Sequence, residues 1–425
     1  MTRKLPDSVI RLTYLIETAG DPSRLAEKIA SDQSTGTFVH VPGETEELKA
    51  RVAAKVSGIR PLQPVTLSSF PSSEPGPFNR AEADIDFPFG AIGTDLAALM
   101  TIAIGGVWSI RGFTGIRVTG MQLPEEFRTA HPGPQFGIAG SRELTGVKGR
   151  PIIGTIVKPA LGLRPHETAA LVKDLIEADV DFIKDDEKLM SPSYSPLEQR
   201  VKHIMPLIHD REQRTGRKVM YAFGISHADP DQMMRNHDAV LNAGGNCAVI
   251  NINSIGFGGM SFLRKRSGLV LHAHRNGWDI LTRHSGLGFD FSVYQQFWRL
   301  LGVDQFQING IKVKYWEPDE SFVAAFNALK TPIFSEADCP LPVAGSGQWG
   351  GQAPETYART GQTQDLLYLC GGGIASHPGG PAAGVRAVRQ AWEAAVQGVT
   401  LQSYAKHHSE LAQSLAFFGD GKAAG

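Results

Sequence analysis

Three cysteines in 425 residues, Cys247, Cys339 and Cys370, are too few and too scattered for a disulfide framework or a thiolate metal site. A reducing, cytoplasmic setting is expected. No apolar run is long enough to span a bilayer. The opening Met1-Thr-Arg-Lys-Leu-Pro-Asp leads into an apolar stretch too short for a secretory signal. Neither charge is in excess: 42 basic and 43 acidic residues leave a net charge of −1. That excludes the basic surface which nucleic acid or an anionic membrane would demand, and leaves a small molecule as the expected partner. Glycine is the one abundant type, with 47 residues. Many lie at the ends of predicted strands, where the backbone turns sharply or approaches a ligand.

The length implies two domains of unequal size. The first, residues 1–135, alternates strands and helices. Val9–Ile16, Thr37–Val41, Ile85–Pro88 and Ile116–Leu123 have strand character. Asp21-Pro22-Ser23 opens a helix through Ala30, with proline in its first turn. Glu44–Lys55 and Asp95–Ile102 have helical spacing, and Ser68–Asn79 is a Ser/Pro/Gly loop. The sum is a modest α+β domain.

The second domain, residues 136–425, has a different regularity. Short apolar runs recur at Ile152–Val157, Val180–Lys184, Val219–Ile225, Ala248–Ile252, Leu269–His272, Gln305–Ile311, Leu341–Ala344 and Leu366–Leu369. Helical segments fall between most of them, at Glu167–Ala178, Pro196–Gln213, Asp229–Asn242 and Val293–Leu301, and Ala382–Ala395 follows the last. Eight such units fit a (β/α)₈ barrel, with a doubly wound sheet as the alternative.

In a barrel, chemistry sits where the strands stop. The second strand runs into Lys184-Asp185-Asp186-Glu187. Side chains alternate along a strand, so Lys184 and Asp186 share a face, and Glu187 lies where the strand ends. The cluster is either an ordinary ion pair or a seat for a hard cation such as Mg²⁺. Lysine becomes an oxygen ligand only if CO₂ carbamylates it. Other strand ends carry Lys158, His272, His274 and Arg275, and the sixth leads into Lys312 and Lys314. The last two end in Gly345-Ser346-Gly347 and Gly371-Gly372-Gly373. Glycine turns after the last two strands form the usual phosphate site of such barrels, and arginine suits phosphate geometry. A phosphorylated substrate, a polarising cation and a proton carrier follow.

The runs Gly154-Thr-Ile-Val-Lys158-Pro-Ala-Leu-Gly-Leu-Arg164-Pro, Asp181-Phe-Ile-Lys184-Asp-Asp186-Glu187, His272-Ala-His274-Arg275 and Gly371-Gly-Gly-Ile-Ala-Ser-His-Pro378 resemble the large subunit of ribulose-bisphosphate carboxylase. Asp32-Gln-Ser-Thr-Gly36-Thr37-Phe38 resembles that family's N-terminal active-site segment. The resemblance implies a ferredoxin-like N-terminal domain before the barrel, and a homodimer in which Thr37 completes the partner's site. It implies Lys184 as a carbamylated lysine, with Asp186 and Glu187 as the other Mg²⁺ ligands. Lys158, His274 and the loop lysine Lys314 (Lys312 being the alternative) become the catalytic groups. Arg275, Gln307, Gly345, Ser346, Gly347, Gly371 and Gly372 become the substrate and phosphate contacts.

The departures point away from carbon fixation. Ala160 stands where the carboxylase has a second lysine, and Gly106 where it has an asparagine. Gln307 replaces a phosphate-binding histidine, Gly345 replaces a serine that has shifted to Ser346, and Phe38 replaces a tryptophan. The chain is therefore similar to the RuBisCO-like proteins, whose shared chemistry is enediolate stabilisation. Three reactions are open. One is decarboxylation, or transcarboxylation with hydrolysis, of 3-oxo-isoapionate 4-phosphate. The others are enolisation of 2,3-diketo-5-methylthiopentyl 1-phosphate and isomerisation of 5-methylthioribulose 1-phosphate. Retention of Lys158-Pro159 and loss of the second lysine favour the first, because CO₂ departure makes the enediolate without prior proton abstraction. A non-catalytic phosphosugar-binding dimer is the alternative of another class.

Overall fold

The computed structural model describes residues 9–37, 39 and 41–419. Among them the strands run, in chain order, β1 (Val9–Thr18), β2 (Lys55–Val65), β3 (Phe78–Pro88), β4 (Gly115–Gln122), β5 (Ile152–Ile156), β6 (Phe182–Lys184), β7 (Met220–Gly224), β8 (Cys247–Asn251), β9 (Val270–His274), β10 (Leu287–Phe289), β11 (Gln305–Ile308), β12 (Leu341–Ala344) and β13 (Leu367–Leu369). The chain divides into two compact units. One comprises Met1–Pro132 with Gly277–Leu300, the other Gly133–Asn276 with Leu301–Gly425.

The first unit is a five-stranded sheet in the order β10-β4-β1-β3-β2. Its pairs are antiparallel except β10 with β4, which is parallel. β1 alternates from Val9 to Ile16, burying Ile10, Leu12, Tyr14 and Ile16, the period-two pattern of a sheet with one covered face. The helix Pro22–Asp32 starts at Asp21, whose carboxylate accepts from the Ser23 N–H, and buries Ala26, Ile29 and Ala30.

The sequence reading departs from this unit in several places. Thr37 and Val41 lie outside any strand, and Phe38 lies outside the described residues. The second helix is only Glu46–Val52, because Lys55 already belongs to β2. β2 itself escaped the sequence reading: it is a sheet edge with no buried residue and carries Pro61 and Pro64. The run Ile85–Pro88 is the end of an eleven-residue strand. The segment Gly277–Leu300, counted to the barrel by its position in the sequence, clusters with the first unit instead. Arg117 on β4 holds it there: its guanidinium donates to Asp290 and to the carbonyls of Thr282, His284, Leu287 and Phe289.

The second unit is a closed barrel of eight parallel strands, β5 through β9 and β11 through β13. The strands are short and mostly buried along their whole length. They therefore read as continuous apolar runs and were all found in the sequence. Ile152, Phe182, Met220, Val249, Val343 and Leu369 fill the interior. The N-terminal end of the barrel is locked by two buried acids. Asp304 accepts from the N–H groups of Phe136 (2.6 Å), Gly137 (3.2 Å) and Leu271 (2.9 Å), and pairs with Arg264 at 2.8 Å. Asp181 accepts from the Ile153 N–H at 2.9 Å and is gripped by Arg150. The opposite end is left to carry function.

Candidate active site

At the C-terminal end of β6, alternation separates the acids into two environments. Asp185 faces backward. It accepts from the Tyr221 hydroxyl at 2.7 Å and the Gly224 N–H at 3.0 Å, and pairs with Arg200 at 3.1 Å. Neither Asp185 nor Arg200 reaches solvent. Arg200 also donates to the carbonyls of Met190 and Ser195. This arrangement fixes the strand end from behind.

Lys184, Asp186 and Glu187 face the barrel mouth. Lys184 is fully buried, and its Nζ donates to the Asp185 carbonyl at 3.0 Å and to Glu187 Oε2 at 3.4 Å. Asp186 Oδ2 accepts from Lys158 Nζ at 2.7 Å, so the ends of β5 and β6 meet through an ion pair. Glu187 Oε2 lies 3.7 Å from His274 Nε2 at the end of β9. Asn251, ending β8, donates from Nδ2 to the Glu187 carbonyl at 2.8 Å. Four strands thus converge on one acid–lysine cluster.

The electrostatics follow from burial. Burial pushes the Lys184 amine down from the usual lysine range, against the pull of Glu187 and Asp186. For Glu187 burial acts to raise the carboxyl, but the charges of Lys184 and His274 prevail and hold it at about 2. Burial, reinforced by Lys184, lowers His274 to about 4. Its Nδ1 is buried without a partner, as is Asn251 Oδ1. Beneath them His272, stacked on Phe182 at 5.3 Å and lowered by burial to about 3, bridges Gln305 (2.9 Å) and Gln307 (3.5 Å).

Among the described residues, no three His, Cys, Asp or Glu side chains converge as a metal-holding set. Two carboxylates, Asp186 and Glu187, and the buried Lys184 lie together at the end of β6. A hard cation here needs a third acidic oxygen, and Lys184 is the group that a carbamate would convert into one.

The glycine turns close the mouth. Ser346 and Gly347 adopt φ of +67° and +88°, a conformation a serine holds only under constraint. The stem of Lys314 lies along this turn, 3.3 Å from where a side chain at Gly347 would begin. Lys312 points elsewhere, pairing with Glu355 at 2.8 Å while largely exposed, so Lys314 is the loop lysine that faces the turn. A side chain at Gly371 would begin 3.4 Å from the Lys158 stem, which places the last turn beside the ion pair. Gln307 packs 3.4 Å from the corresponding point at Gly345. Thr37 belongs to the first unit, its hydroxyl donating to the Val39 carbonyl.

Arg275 is engaged differently from the expectation. It makes a two-point contact with Glu317, 2.6 Å and 3.4 Å, both side chains being almost inaccessible. Glu317, Asn251 and the buried Arg200 all escaped the sequence reading. Only Arg200 left a signal, a charged residue at a helix position otherwise set for the core.

Residues 137–418 match the family profile of the ribulose bisphosphate carboxylase large chain, catalytic domain. The chain is 75% identical over 417 residues to 3-oxo-isoapionate-4-phosphate decarboxylase of Rhizobium etli, covering 98% of this chain and all of that one. It is 44% identical over 408 residues to 3-oxo-isoapionate-4-phosphate transcarboxylase/hydrolase of Xanthobacter autotrophicus, covering 96% and 98%. A rubisco-like protein from Burkholderia fungorum superposes with a TM-score of 0.90 at 40% identity, over 97% of this chain and all of that one. With this match along its length, an eight-stranded barrel and an acid–lysine cluster at the end of β6, the chain belongs to the ribulose bisphosphate carboxylase large-chain family.

Proposed function

We propose that the protein is a Mg²⁺-dependent 3-oxo-isoapionate-4-phosphate decarboxylase that does not fix CO₂ and works with CO₂ bound as a carbamate on Lys184. The full-length 75% identity to a relative of that name carries the reading. The cluster supports it independently. Lys184 is lowered toward the neutral amine that attacks CO₂. Asp186 and Glu187 stand ready beside it. Bound by these three groups, Mg²⁺ would polarise the ketone oxygen next to the scissile bond and stabilise its developing charge.

The substrate is a β-keto acid. Its C–C bond to the carboxylate breaks, the electron pair moves into the enediolate, and a proton returns to that carbon. His274, held at about 4, is neutral near pH 7 and has no proton of an imidazolium to give. Lys158 Nζ lies 2.7 Å from Asp186 Oδ2, beside the Gly371 turn. It is the donor we assign, with Lys314 positioned along the other turn. The substrate phosphate is seated on the turns Gly345–Gly347 and Gly371–Gly372, next to Lys314.

We further infer a homodimer in which Thr37 of one copy completes the site of the other, and a cytoplasmic location, consistent with three buried free thiols. Among the described residues no helix is long and apolar enough to cross a membrane. The test is ¹³C NMR product analysis on purified protein with Mg²⁺ and bicarbonate. CO₂ with a four-carbon ketose phosphate supports the reading. Glycolate with 3-phosphoglycerate would move the protein to the transcarboxylase/hydrolase reaction. No turnover, with turnover of a methylthio phosphate instead, would overturn it.

A further inference from the structure

Two places at the barrel mouth could hold an anion: the guanidinium of Arg275 at the end of β9, and the glycine turns after β12 and β13. Only one is open to a substrate. The Arg275 side chain is 10% exposed and its terminal nitrogens grip Glu317, 2.6 Å to Oε2 and 3.4 Å to Oε1. The Glu317 side chain is 4% exposed. Its position is set by the chain around it: Pro318 follows directly, the helix Asp319–Lys330 starts there, and the Ser321 hydroxyl donates to Glu317 Oε1 at 3.3 Å. A carboxylate held in this way presents to the guanidinium the charge and paired oxygens that a phosphate would present.

Two polar groups deeper in the barrel add no positive charge. Gln307 on β11 is neutral, and His272 beneath it is lowered to about 3 and so is neutral as well. At the glycine turns the balance is reversed, because the Lys314 stem runs along Gly347 and Lys158 lies beside Gly371.

We propose that Glu317 is a built-in anion that fills the Arg275 position, so that the site accepts a sugar-acid monophosphate and discriminates against a bisphosphate. The inference rests on the decarboxylase reading for the identity of the substrate, but not for its test. A bisphosphate would have to displace a buried, hydrogen-bonded carboxylate or place its second phosphate against one. A monophosphate seated on the glycine turns meets neither obstacle.

Isothermal titration calorimetry on the full-length protein with Mg²⁺ tests this without turnover, so a failure of the decarboxylase reading leaves the measurement intact. The probes are ribulose 5-phosphate and ribulose 1,5-bisphosphate, with wild type and Glu317→Gln. The wild type is expected to bind the monophosphate at least about tenfold more tightly than the bisphosphate, ~1.4 kcal/mol. Glu317→Gln keeps the shape but removes the charge, and is expected to tighten the bisphosphate at least about tenfold, ~1.4 kcal/mol, leaving the monophosphate within about twofold. The inference is overturned if the wild type binds the bisphosphate as tightly as the monophosphate or more tightly. It is equally overturned if Glu317→Gln moves both ligands together or neither. Should Glu317→Gln fail to fold, the wild-type comparison decides alone.

Discussion

Arg200→Met cuts the support behind the candidate metal ligands without touching them. Arg200 is wholly buried and donates to Asp185, Met190 and Ser195. Methionine fills a similar volume but leaves the Asp185 carboxylate with only Tyr221 and Gly224 as donors. Breaking a buried pair by removing one partner costs about 3–5 kcal/mol, mostly because the other charge is stranded. With a urea slope near ~3 kcal/mol/M, the midpoint of the barrel transition should fall by about 1 M or more. The stranded charge is the specific claim, so the decisive variant is Asp185→Asn combined with Arg200→Met. Removing both charges should recover about 1–3 kcal/mol relative to the sum of the single losses. Urea unfolding followed by circular dichroism, on all four proteins, gives the cycle. A double variant whose cost equals that sum, or Arg200→Met within about 1 kcal/mol of wild type, would refute the reasoning.

Lys158→Met should lower kcat by roughly 10²–10⁴ with a smaller change in KM, measured by CO₂ release, if Lys158 returns the proton. Gly373→Ala should destabilise the last turn by about 1–3 kcal/mol, because the new Cβ would begin 2.3 Å from the Gln348 carbonyl oxygen; thermal melts check it. The Glu410 carboxyl is held at about 2 by hydrogen bonds from Gln390 and Arg386. A depressed folded-state pKa stabilises above the ordinary value and is lost on acidification, so the helix Ser409–Phe418 should loosen between pH 4.5 and 2. Hydrogen exchange across that helix should show the effect, and Glu410→Gln should flatten it.

The barrel was legible because each strand is buried on both faces and so appears as an apolar run bounded by glycine, proline or charge. Alternation along β6 also sorted Lys184 and Asp186 from Asp185 correctly, since a period of two needs no tertiary information. β2 was not legible, because an edge strand without a buried residue has no apolar period to read. Thr37–Val41 made the opposite error: a Thr/Val-rich stretch has strand propensity, yet the described residues there pair with nothing in the sheet. Glu317 could not be found, because Trp316-Glu317-Pro318-Asp319-Glu320 looks like the polar start of a helix. Only the fold brings it to Arg275, 42 residues earlier in the chain.

Synthesis of this chain on a ribosome meets a scheduling problem set by β10. Residues Arg117 and Leu287 are joined across the first unit although 170 positions separate them. Five barrel strands, β5 to β9, are made in the interval. The β4 edge therefore emerges early and waits for β10 until about half of the second unit has been translated, a long-range closure that is slow to form and open to wrong partners meanwhile. For the same reason no single cut yields two self-sufficient fragments. A break near Pro132 leaves the sheet without β10, so exchange of modules between relatives requires three junctions, one after Pro132, one before Gly277 and one after Leu300.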